Sequence, residues 1–349
     1  MTKALATMKD VGDRAGVSAK TVSNVLSGHP NIADHTRKRV LAAIDELNYV
    51  MNTSARSLRS GRTGTIALAV PHLAQPYFAE LASEVVQAAR KQCGWTVAIE
   101  ETAGSREREL EVVSGKRVLS VDGLIIVPGG LRAGDLDVVE PIRPLVLLGE
   151  QVYGGPGDHI REDLSASRDL TEHMLSLGRR HIALIGPAPY ETAVDGVGSL
   201  RLRGFTTACE AAGVRVHAKL VRPVPAYLRM HGAVAARELI ESGAQLDGVV
   251  CANDALALGA LRSLHELGVA VPDDVAVAGF DDIEESSYSI PSLTTMAIGI
   301  RRIAAAAVDL LTTRLSGAAP LRGHRELATT HELRVRESTV GAAESPSAT

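Results

Sequence analysis

The sequence contains few aromatic residues and few cysteines. Aromatic side chains make up 3% of its 349 residues, whereas apolar residues make up 45%, so its hydrophobic cores must be packed mainly from Ala, Val, Leu and Ile. The three cysteines, Cys93, Cys209 and Cys251, are far apart and match no metal-binding or redox spacing. This spacing favours buried thiols, and we expect neither a metal nor a cofactor.

Long apolar runs are also lacking. No run of about 18 apolar residues occurs, and the first 20 residues carry charges where a secretory signal would need an apolar stretch. We therefore expect a cytoplasmic protein without a membrane partner. A chain of 349 residues exceeds the usual size of one hydrophobic core, which predicts a small folding unit joined to a larger one.

The short motifs of common enzymes do not occur. No G-x-G-x-x-G follows the first predicted strand, where V-P-H-L stands, and the patterns G-x-x-x-x-G-K-[ST], H-E-x-x-H and G-x-S-x-G are absent from the sequence. Catalysis is therefore not expected.

Charge is distributed unevenly along the chain. Residues 1–62 hold ten Lys and Arg against five acidic residues, and the remainder of the chain holds 27 against 36. A compact basic unit joined to an acidic body is typical of a nucleic-acid-binding protein whose larger part does not touch the polyanion.

The basic segment predicts three short helices. Thr7 and Asp10 form a capping-box-like start for the first helix, Gly16 ends it, and Ser18 can cap the second. The residues that recur at helical spacing, and are expected to be buried, are Val11, Ala15, Val22, Val25, Leu26, Val40, Leu41, Ile44 and Leu47. A short helix, a glycine-containing turn and a second helix with a small polar face follow the helix-turn-helix plan.

Cations cluster near the start of the third helix, which begins at Asp34. Arg37, Lys38 and Arg39 oppose the helix dipole there. Two interpretations stay open, a phosphate partner or simple solvation.

Several motifs of this segment resemble the headpiece of the lactose-repressor (LacI/GalR) family. They are M-K-D-V at 8–11, A-G-V-S at 15–18, T-V-S-N-V-L at 21–26 and T-R-K-R-V-L at 36–41, and N-T-S-A-R-S-L-R-S-G at 52–61 resembles the family's hinge helix. The resemblance implies a transcription regulator with these DNA-contacting residues: Ser18, Ala19, Lys20, Thr21, Ser23, Asn24, Ala55 and Leu58.

Their roles follow from the same resemblance. Ala19, Lys20 and Asn24 would face base edges, while Thr21 and Ser23 would contact phosphate. Lys20 can donate to guanine, and Asn24 can pair with adenine. The family often has Arg at the position of Asn24, which leaves open an operator half-site different from the commonest one.

The hinge would act in the minor groove. Ala55 and Leu58 are three residues apart and share one helical face. The resemblance implies that Leu58 and its symmetry mate wedge into a base step at the operator centre. A helix this short is marginal in water, so we expect it to fold only on DNA.

Beyond residue 63, short apolar runs alternate with amphipathic helical stretches, which predicts parallel sheets covered by helices on both faces. Predicted strands are 65–70, 96–99, 124–127, 145–148, 182–185, 248–251 and 275–278. Predicted helices are 79–93, 106–118, 165–177, 200–212, 232–242, 255–267 and 301–315. Together with the family resemblance, these patterns predict the fold class: an all-α helix-turn-helix headpiece with a hinge helix, followed by an α/β body of two doubly wound, periplasmic-binding-protein-like lobes.

Domain boundaries can also be predicted. We expect a headpiece at 1–50, a hinge at 51–62, a bilobed body at 63–340 and a disordered tail at 341–349. Lobe one would span about 63–162 and 292–322, with Pro291 to Thr295 leading the chain back to it, and lobe two about 163–291 and 323–340.

Ligands of such sheets bind beyond the carboxyl ends of the strands. Family-like blocks there are Q-P-Y-F at 75–78, R-L-R-G-F at 201–205, A-N-D-A-L-A-L-G at 252–259, G-F-D-D-I at 279–283 and P-S-L-T-T at 291–295. The resemblance implies the effector contacts Arg201, Asn253 and Asp281, together with the pocket walls Tyr77, Phe78 and Tyr227. Polar groups of this kind suit a polyhydroxylated ligand.

Structural interpretations of these residues stay open. Asn253 or Asp254 can cap the helix that follows, and Arg201 can be a structural partner of Asp281. Gly149 and Glu150 stand where several sugar-binding relatives have Asp, which leaves one hydroxyl contact unassigned.

The function expected from these patterns is a cytoplasmic, effector-controlled DNA-binding regulator, associated with the nucleoid when bound to DNA. We expect a repressor that binds palindromic operator DNA as a homodimer, because one helix-turn-helix contacts only half a palindrome. The expected effector is a sugar or glycoside. The alternatives are a regulator responsive to purines or nucleosides, and a solute-binding protein, which would need a signal peptide and no basic headpiece.

Overall fold

The computed structural model describes residues 6–26, 29, 31–49, 62–117, 120–132, 134–138, 141, 143–149, 156–161, 163, 165–186, 196–317 and 324–342. The chain divides into two compact units, residues 1–63 and residues 64–349. The predicted hinge helix with Ala55 and Leu58, and the predicted tail from residue 343 onward, lie outside the described residues.

The described residues of the first unit form three helices, α1 (Met8–Ala15), α2 (Ala19–Leu26) and α3 (Asp34–Glu46). Thr7 and Asp10 form the capping box, and Gly16 ends α1 with a left-handed φ of 63°, a conformation that favours glycine. The buried core of this unit is Val11, Ala15, Val22, Val25, Val40 and Ala43. The prediction for Leu41 was wrong, since it is 47% exposed and Ala43 takes the inner face of α3.

The described residues of the larger unit form two six-stranded sheets. The first sheet is entirely parallel and has the strand order β11-β5-β4-β3-β1-β2. Its strands are β1 (Thr65–Val70), β2 (Thr96–Glu101), β3 (Gly123–Ile126), β4 (Leu145–Leu148), β5 (Asp158–Arg161) and β11 (Glu326–Ala328).

The second sheet has the order β12-β10-β9-β8-β6-β7, and β12 is its one antiparallel strand among the described residues. Its strands are β6 (Ile182–Ile185), β7 (Val221–Arg222), β8 (Gly248–Cys251), β9 (Ala276–Phe280), β10 (Thr294–Ala297) and β12 (Glu332–Arg334).

Helices connect the strands in both lobes, which is the doubly wound α/β arrangement that the sequence predicted. They are α4 (Pro76–Cys93), α5 (Arg106–Val113), α6 (Asp135–Val138), α7 (Ala166–Ser176), α8 (Val197–Ala211), α9 (Arg229–Glu241), α10 (Asp254–Glu266), α11 (Glu284–Tyr288), α12 (Ile300–Leu315) and α13 (Glu337–Val340), with one 3₁₀ turn at Ala218–Leu220.

Aliphatic side chains fill these lobes. Two hydrophobic clusters flank each sheet, and they consist mostly of Ala, Val, Leu and Ile. Phe205 and Phe280 are the aromatic residues among the largest fully buried side chains, and both lie in the second lobe. The scarcity of aromatic residues is thus met by close aliphatic packing.

The assignment of residues 292–322 to the first lobe needs a correction. Strand β10 pairs in parallel with β9, with Thr294 opposite Ala278, so the chain returns to the first lobe only after Ala297. Ile298 then packs in the core of the first lobe. The apolar residues of β10 are buried against the second sheet, and this placement decides which lobe the strand joins.

The assignment of residues 323–340 to the second lobe is correct for β12, which pairs with β10, and wrong for β11. Strand β11 pairs with β5 of the first sheet, with Leu327 opposite Ile160. Just before β11, Arg325 donates to the buried carboxylate of Asp158 at 2.9 Å. Arg314 of α12 donates to the same carboxylate at 2.7 and 2.8 Å, which ties β11 to the first lobe.

Candidate nucleic-acid interface and ligand cleft

The amino end of α2 forms the exposed surface of the first unit that the sequence assigns to DNA. Ser18 caps this helix, because its hydroxyl accepts from the Thr21 backbone N–H at 3.1 Å. Ala19 and Lys20 are exposed, and Thr21, Ser23 and Asn24 are half-buried. Val22 and Val25 are buried on the opposite face, so the apolar spacing turns the polar positions outward.

The basic residues of α3 have structural roles that the sequence analysis missed. Arg39 donates through Nε to the Ala15 carbonyl at 3.0 Å and through Nη2 to the Gly16 carbonyl at 3.2 Å. These carbonyls lie at the end of α1, where helix partners are missing. Arg37 donates to the His29 carbonyl at 3.2 Å. Arg39 therefore fixes the turn between α1 and α2, a role that neither interpretation of the cations included.

The larger unit contains a cavity of about 210 Å³ that the carboxyl ends of strands and the starts of helices surround. All six residues predicted to contact the effector line it: Tyr77, Phe78, Arg201, Tyr227, Asn253 and Asp281. Both lobes contribute, because Tyr77 and Phe78 belong to α4, and Arg201 to α8. Residues separated by more than 200 positions in the sequence thus share one cavity.

Arg201 and Asp281 form the charged centre of this cavity. Nη2 of Arg201 lies 3.7 Å from Oδ1 of Asp281, and both side chains are at least 93% buried. The guanidinium stacks over the Phe280 ring at 4.3 Å from the centroid and donates to the Ala252 carbonyl. These contacts hold the guanidinium plane in place, since stacking and hydrogen bonds fix its orientation.

Asp281 has a strained backbone. Its φ is 108°, a conformation that side-chain-bearing residues rarely adopt. Its N–H donates to the Met296 carbonyl at 3.0 Å, which holds the turn after β9. Strain of this kind concentrates at functional sites, where the surrounding structure enforces one side-chain direction.

Asn253 lines the cavity and also caps α10. Its Oδ1 accepts from the Leu256 N–H at 2.9 Å, and its Nδ2 donates to the Tyr227 carbonyl at 3.4 Å. The open interpretation of Asn253 as a helix cap is therefore correct, and the same side chain fixes the position of Tyr227. Capping leaves the second lone pair of Oδ1 and the second amide hydrogen available to a ligand.

Asp254 is not a helix cap. Its fully buried carboxylate accepts from the Thr295 hydroxyl at 2.6 Å, the Ser286 hydroxyl at 2.7 Å and the Ile283 N–H at 3.2 Å. Burial raises its pKa to about 7, and the three hydrogen bonds offset part of that rise. Asp254 thus joins α10, α11 and β10 behind the cavity.

Aromatic and apolar side chains form the cavity wall in the first lobe. The rings of Tyr77 and Phe78 meet edge to face, with centroids 5.1 Å apart, a favourable aromatic geometry. Pro71 follows β1, and Ile298 and Ile303 complete this side. An apolar wall opposite convergent polar groups is the usual form of a small-molecule site.

Some lining residues were not predicted from the sequence. They include Gln75, Arg161, Val197 and Thr329. Arg161 ends β5 and Thr329 follows β11, two strands that the sequence analysis did not recognise because they are short and contain polar residues. The rule that ligands bind beyond strand ends would have found Arg161 once β5 was known.

The described residues contain no helix long and apolar enough to cross a membrane. Among the same residues, no three His, Cys, Asp or Glu side chains group as a metal site.

Two family models match the chain. The model described as bacterial regulatory proteins, lacI family, matches residues 7–52. The periplasmic binding protein-like domain matches residues 171–339. A helix-turn-helix unit followed by a bilobed body with a ligand cavity defines a ligand-responsive transcription regulator.

Relatives span nearly the whole chain. The HTH-type transcriptional regulator AscG of Escherichia coli K12 is 30% identical over 326 residues, which cover 90% of this chain and 93% of that protein. The ribose operon repressor of the same organism is 31% identical and covers 89% and 94%. The chain belongs to the LacI family of bacterial transcriptional regulators.

Solved structures agree with this assignment. A LacI-family regulator from Sanguibacter keddieii is 45% identical with a TM-score of 0.73, covering 80% of this chain and 100% of that chain. The lac repressor dimer bound to operator and an anti-inducer is 28% identical with a TM-score of 0.80, covering 97% and 100%. A LacI-family regulator from Enterococcus faecium with bound ribose is 27% identical with a TM-score of 0.66, covering 79% and 98%.

Family membership defines the general function. The protein is a DNA-binding transcriptional regulator that binds operator DNA, and a small-molecule effector controls that binding.

Proposed function

We propose that this regulator is a repressor whose effector is a sugar held in the cavity between the two lobes of the larger unit. The observation that carries this proposal is the convergence of Arg201, Asn253 and Asp281 opposite the Tyr77–Phe78 wall. Guanidinium, amide and carboxylate groups can bind vicinal hydroxyls in pairs, and an aromatic wall offers an apolar face to a sugar ring. Ribose in the E. faecium relative and the ribose operon repressor support the same class.

Each polar group has a defined role in this proposal. Asp281 accepts from ligand hydroxyls, and Arg201, which lies 3.7 Å from Asp281, donates to ligand oxygens. Asn253 contributes one donor and one acceptor. Asn253 caps α10 and donates to the Tyr227 carbonyl. A ligand that displaces the Asn253 side chain would therefore also shift α10 or the segment at Tyr227.

The DNA side is proposed from family resemblance. Ser18, Ala19, Lys20, Thr21, Ser23 and Asn24 would enter the major groove, and Ala55 and Leu58 would act in the minor groove at the operator centre. A dimer would place two copies of this surface on one palindrome at the nucleoid. Phosphate contacts would make operator binding fall steeply with salt.

A thermal-shift screen of neutral sugars, sugar acids, sugar phosphates, glycosides and nucleobases tests the effector class. A ligand at 100 times its dissociation constant stabilises the folded protein by about 2.7 kcal/mol. We expect at least one sugar-derived ligand to raise the unfolding temperature and no nucleobase to do so. Stabilisation by nucleobases alone would overturn the proposal.

The Leu58→Ala variant tests the hinge. Loss of the wedge should weaken operator affinity severalfold or more, because the bent DNA would no longer be stabilised. An unchanged operator dissociation constant in a fluorescence-anisotropy titration would contradict the hinge role.

A further inference from the structure

One wall of the cavity carries a cation that the sugar contacts described above do not use. Arg161 is the last residue of β5, and Thr329 follows the neighbouring strand β11. The Thr329 N–H donates to the Arg161 carbonyl at 2.8 Å, so the two residues are held side by side. Both line the cavity, on the first-lobe side.

The described lining has an excess of positive charge. At neutral pH its charged side chains are Arg161, Arg201 and Asp281. Asp281 faces Arg201, which leaves Arg161 as the cation that no lining carboxylate among these residues balances. Its side-chain partner in the described part of the chain is Glu326, at 3.5 Å.

Glu326 does not line the cavity and approaches Arg161 at 3.5 Å. The 3.5 Å separation is longer than that of a charge-assisted hydrogen bond, and Glu326 also faces His324 at 4.0 Å. The side chains of Arg161 and Glu326 are 30% and 35% exposed, so water weakens their attraction. The guanidinium therefore keeps donors available for a ligand.

Thr329 supplies a second donor to the lining of this cavity. Its hydroxyl oxygen is buried and has no hydrogen-bond partner among the described residues. A buried hydroxyl without a partner carries a free-energy cost unless a ligand or water satisfies it. A guanidinium and a hydroxyl that line the same cavity can both donate to an oxyanion.

We propose that the effector is an acidic sugar derivative whose carboxylate or phosphate is bound by the Arg161 guanidinium and the Thr329 hydroxyl. The proposal rests on the proposed function, because Arg201, Asn253 and Asp281 would bind the hydroxyls of the same ligand. A cavity of about 210 Å³ is smaller than the pockets of about 300–1,000 Å³ that hold drug-sized ligands. The ligand is therefore of monosaccharide size.

Matched pairs of probes separate the anionic group from the sugar ring. Isothermal titration calorimetry on the full chain would compare glucose with glucuronate and glucose 6-phosphate, galactose with galacturonate, and ribose with ribose 5-phosphate. We expect at least one acid to bind tenfold or more tightly than its neutral partner, and its affinity to fall as salt rises. The carboxylate and phosphate arms identify which anion the site prefers.

The outcomes of this titration distinguish the anion-site proposal from the sugar-effector proposal. If neutral sugars bind as tightly as their acids, the anion site is wrong and the sugar-effector proposal stands. If none of these sugars or acids binds while a nucleobase does, both proposals fall.

Two variants locate the anion on the structure. Arg161→Gln should lower the affinity for the preferred acid tenfold or more and leave that for its neutral partner nearly unchanged. Thr329→Val removes only the hydroxyl and should act in the same direction with a smaller effect, which keeps the test decisive if the Arg161 variant does not fold.

Two controls complete the set. Arg168→Gln removes an exposed arginine outside the cavity and should not change the affinity. Glu326→Gln removes the competing carboxylate and should keep or raise it. Full acid affinity in both Arg161→Gln and Thr329→Val would overturn the assignment.

Discussion

Asp254 shows how one buried side chain can organise the back of a binding cleft. Its carboxylate joins Thr295, Ser286 and the Ile283 backbone, and it directly follows Asn253 in the sequence. The sequence left open whether Asn253 or Asp254 caps this helix, and in the structure Asn253 is the cap. It could not show which of the two neighbours caps the helix, because that depends on α11 and β10, which approach from distant parts of the chain.

The raised pKa of Asp254 predicts a pH effect on stability. Its folded-state pKa is about 7, against 3.8 as the ordinary value, so the native state holds a proton that the unfolded chain releases. Between about pH 4 and pH 7 this group therefore lowers the free energy of unfolding as pH rises, by at most about 1.4 kcal/mol per pH unit. Below about pH 4 the contribution of Asp254 to the free energy of unfolding is fully present.

Urea unfolding of the wild type and Asp254→Asn at several pH values measures this effect. The Asn side chain of the variant cannot titrate. As pH rises to about 7, the free energy of unfolding of the wild type should therefore fall relative to that of the variant. A difference that stays constant from pH 4 to 8 would show that Asp254 ionises normally in the folded protein.

The proposed DNA-contacting surface of α2 gives a prediction for Lys20. Lys20 is exposed at the start of α2, and a lysine that donates to guanine contributes about 1–3 kcal/mol of discrimination. Lys20→Ala should therefore weaken binding to the selected operator about tenfold or more and bring it closer to binding of random DNA. Lys9→Ala removes an exposed lysine from α1 and should cost far less; equal losses in both variants would indicate a non-specific charge effect.

At the scale of elements, the packing of α9 on α10 sets the distance between Tyr227 and Asn253. Gly232 of α9 and Gly259 of α10 lie where the helices touch, and a Cβ at either would overlap a backbone carbonyl of the other segment. Glycine is required at this close approach. Tyr227 precedes α9 and Asn253 caps α10, so the helix pair positions part of the cavity wall.

Gly259→Ala should push these helices apart. Overpacking of a core typically costs about 1–3 kcal/mol, and here it should also weaken effector binding because Asn253 and Tyr227 would separate. Thermal unfolding and calorimetry with the best ligand would measure both effects. Glu238→Ala, an exposed change on α9, is the control, and a Gly259→Ala variant with wild-type stability and affinity would contradict this packing account.

The elements also show what sequence patterns could and could not predict. Strands with continuous apolar runs, such as β1, β4, β6 and β8, were all predicted within one or two residues because burial on both faces produces that pattern. Strand β5 was missed because its buried residues include Asp158 and His159. The edge strands β11 and β12 are short and mostly exposed, and they carry no apolar period.

The candidate site also contains residues that the sequence predicted and residues that it did not. Arg201, Asn253 and Asp281 could be named from family motifs, and the fold brings them together at one cavity. Arg161 and Thr329 lie outside those motifs, and their position depends on the pairing of β5 with β11. Such a pairing between segments 150 residues or more apart cannot be inferred from local pattern.

At the scale of the whole molecule, the chain passes between the two sheets of the larger unit several times, which supports the proposal that closure of its lobes on a ligand alters operator binding. After β10 it returns to the first lobe, and after β11 it enters the second again. Connections of this kind form a hinge when a ligand binds both lobes. A ligand changes the equilibrium only by its difference in affinity for the two states, so the residues that bind it also set the regulatory response.

The most direct test of this account is the operator dissociation constant of the full chain with and without its effector. An operator selected from random duplex DNA and the best ligand of the screen would be used, with Asp281→Asn and, as control, Asp282→Asn, whose side chain pairs with Arg336 and does not line the cavity. The account predicts that the ligand changes operator affinity tenfold or more in the wild type and the control, and little in Asp281→Asn. An equal ligand response in Asp281→Asn would contradict it.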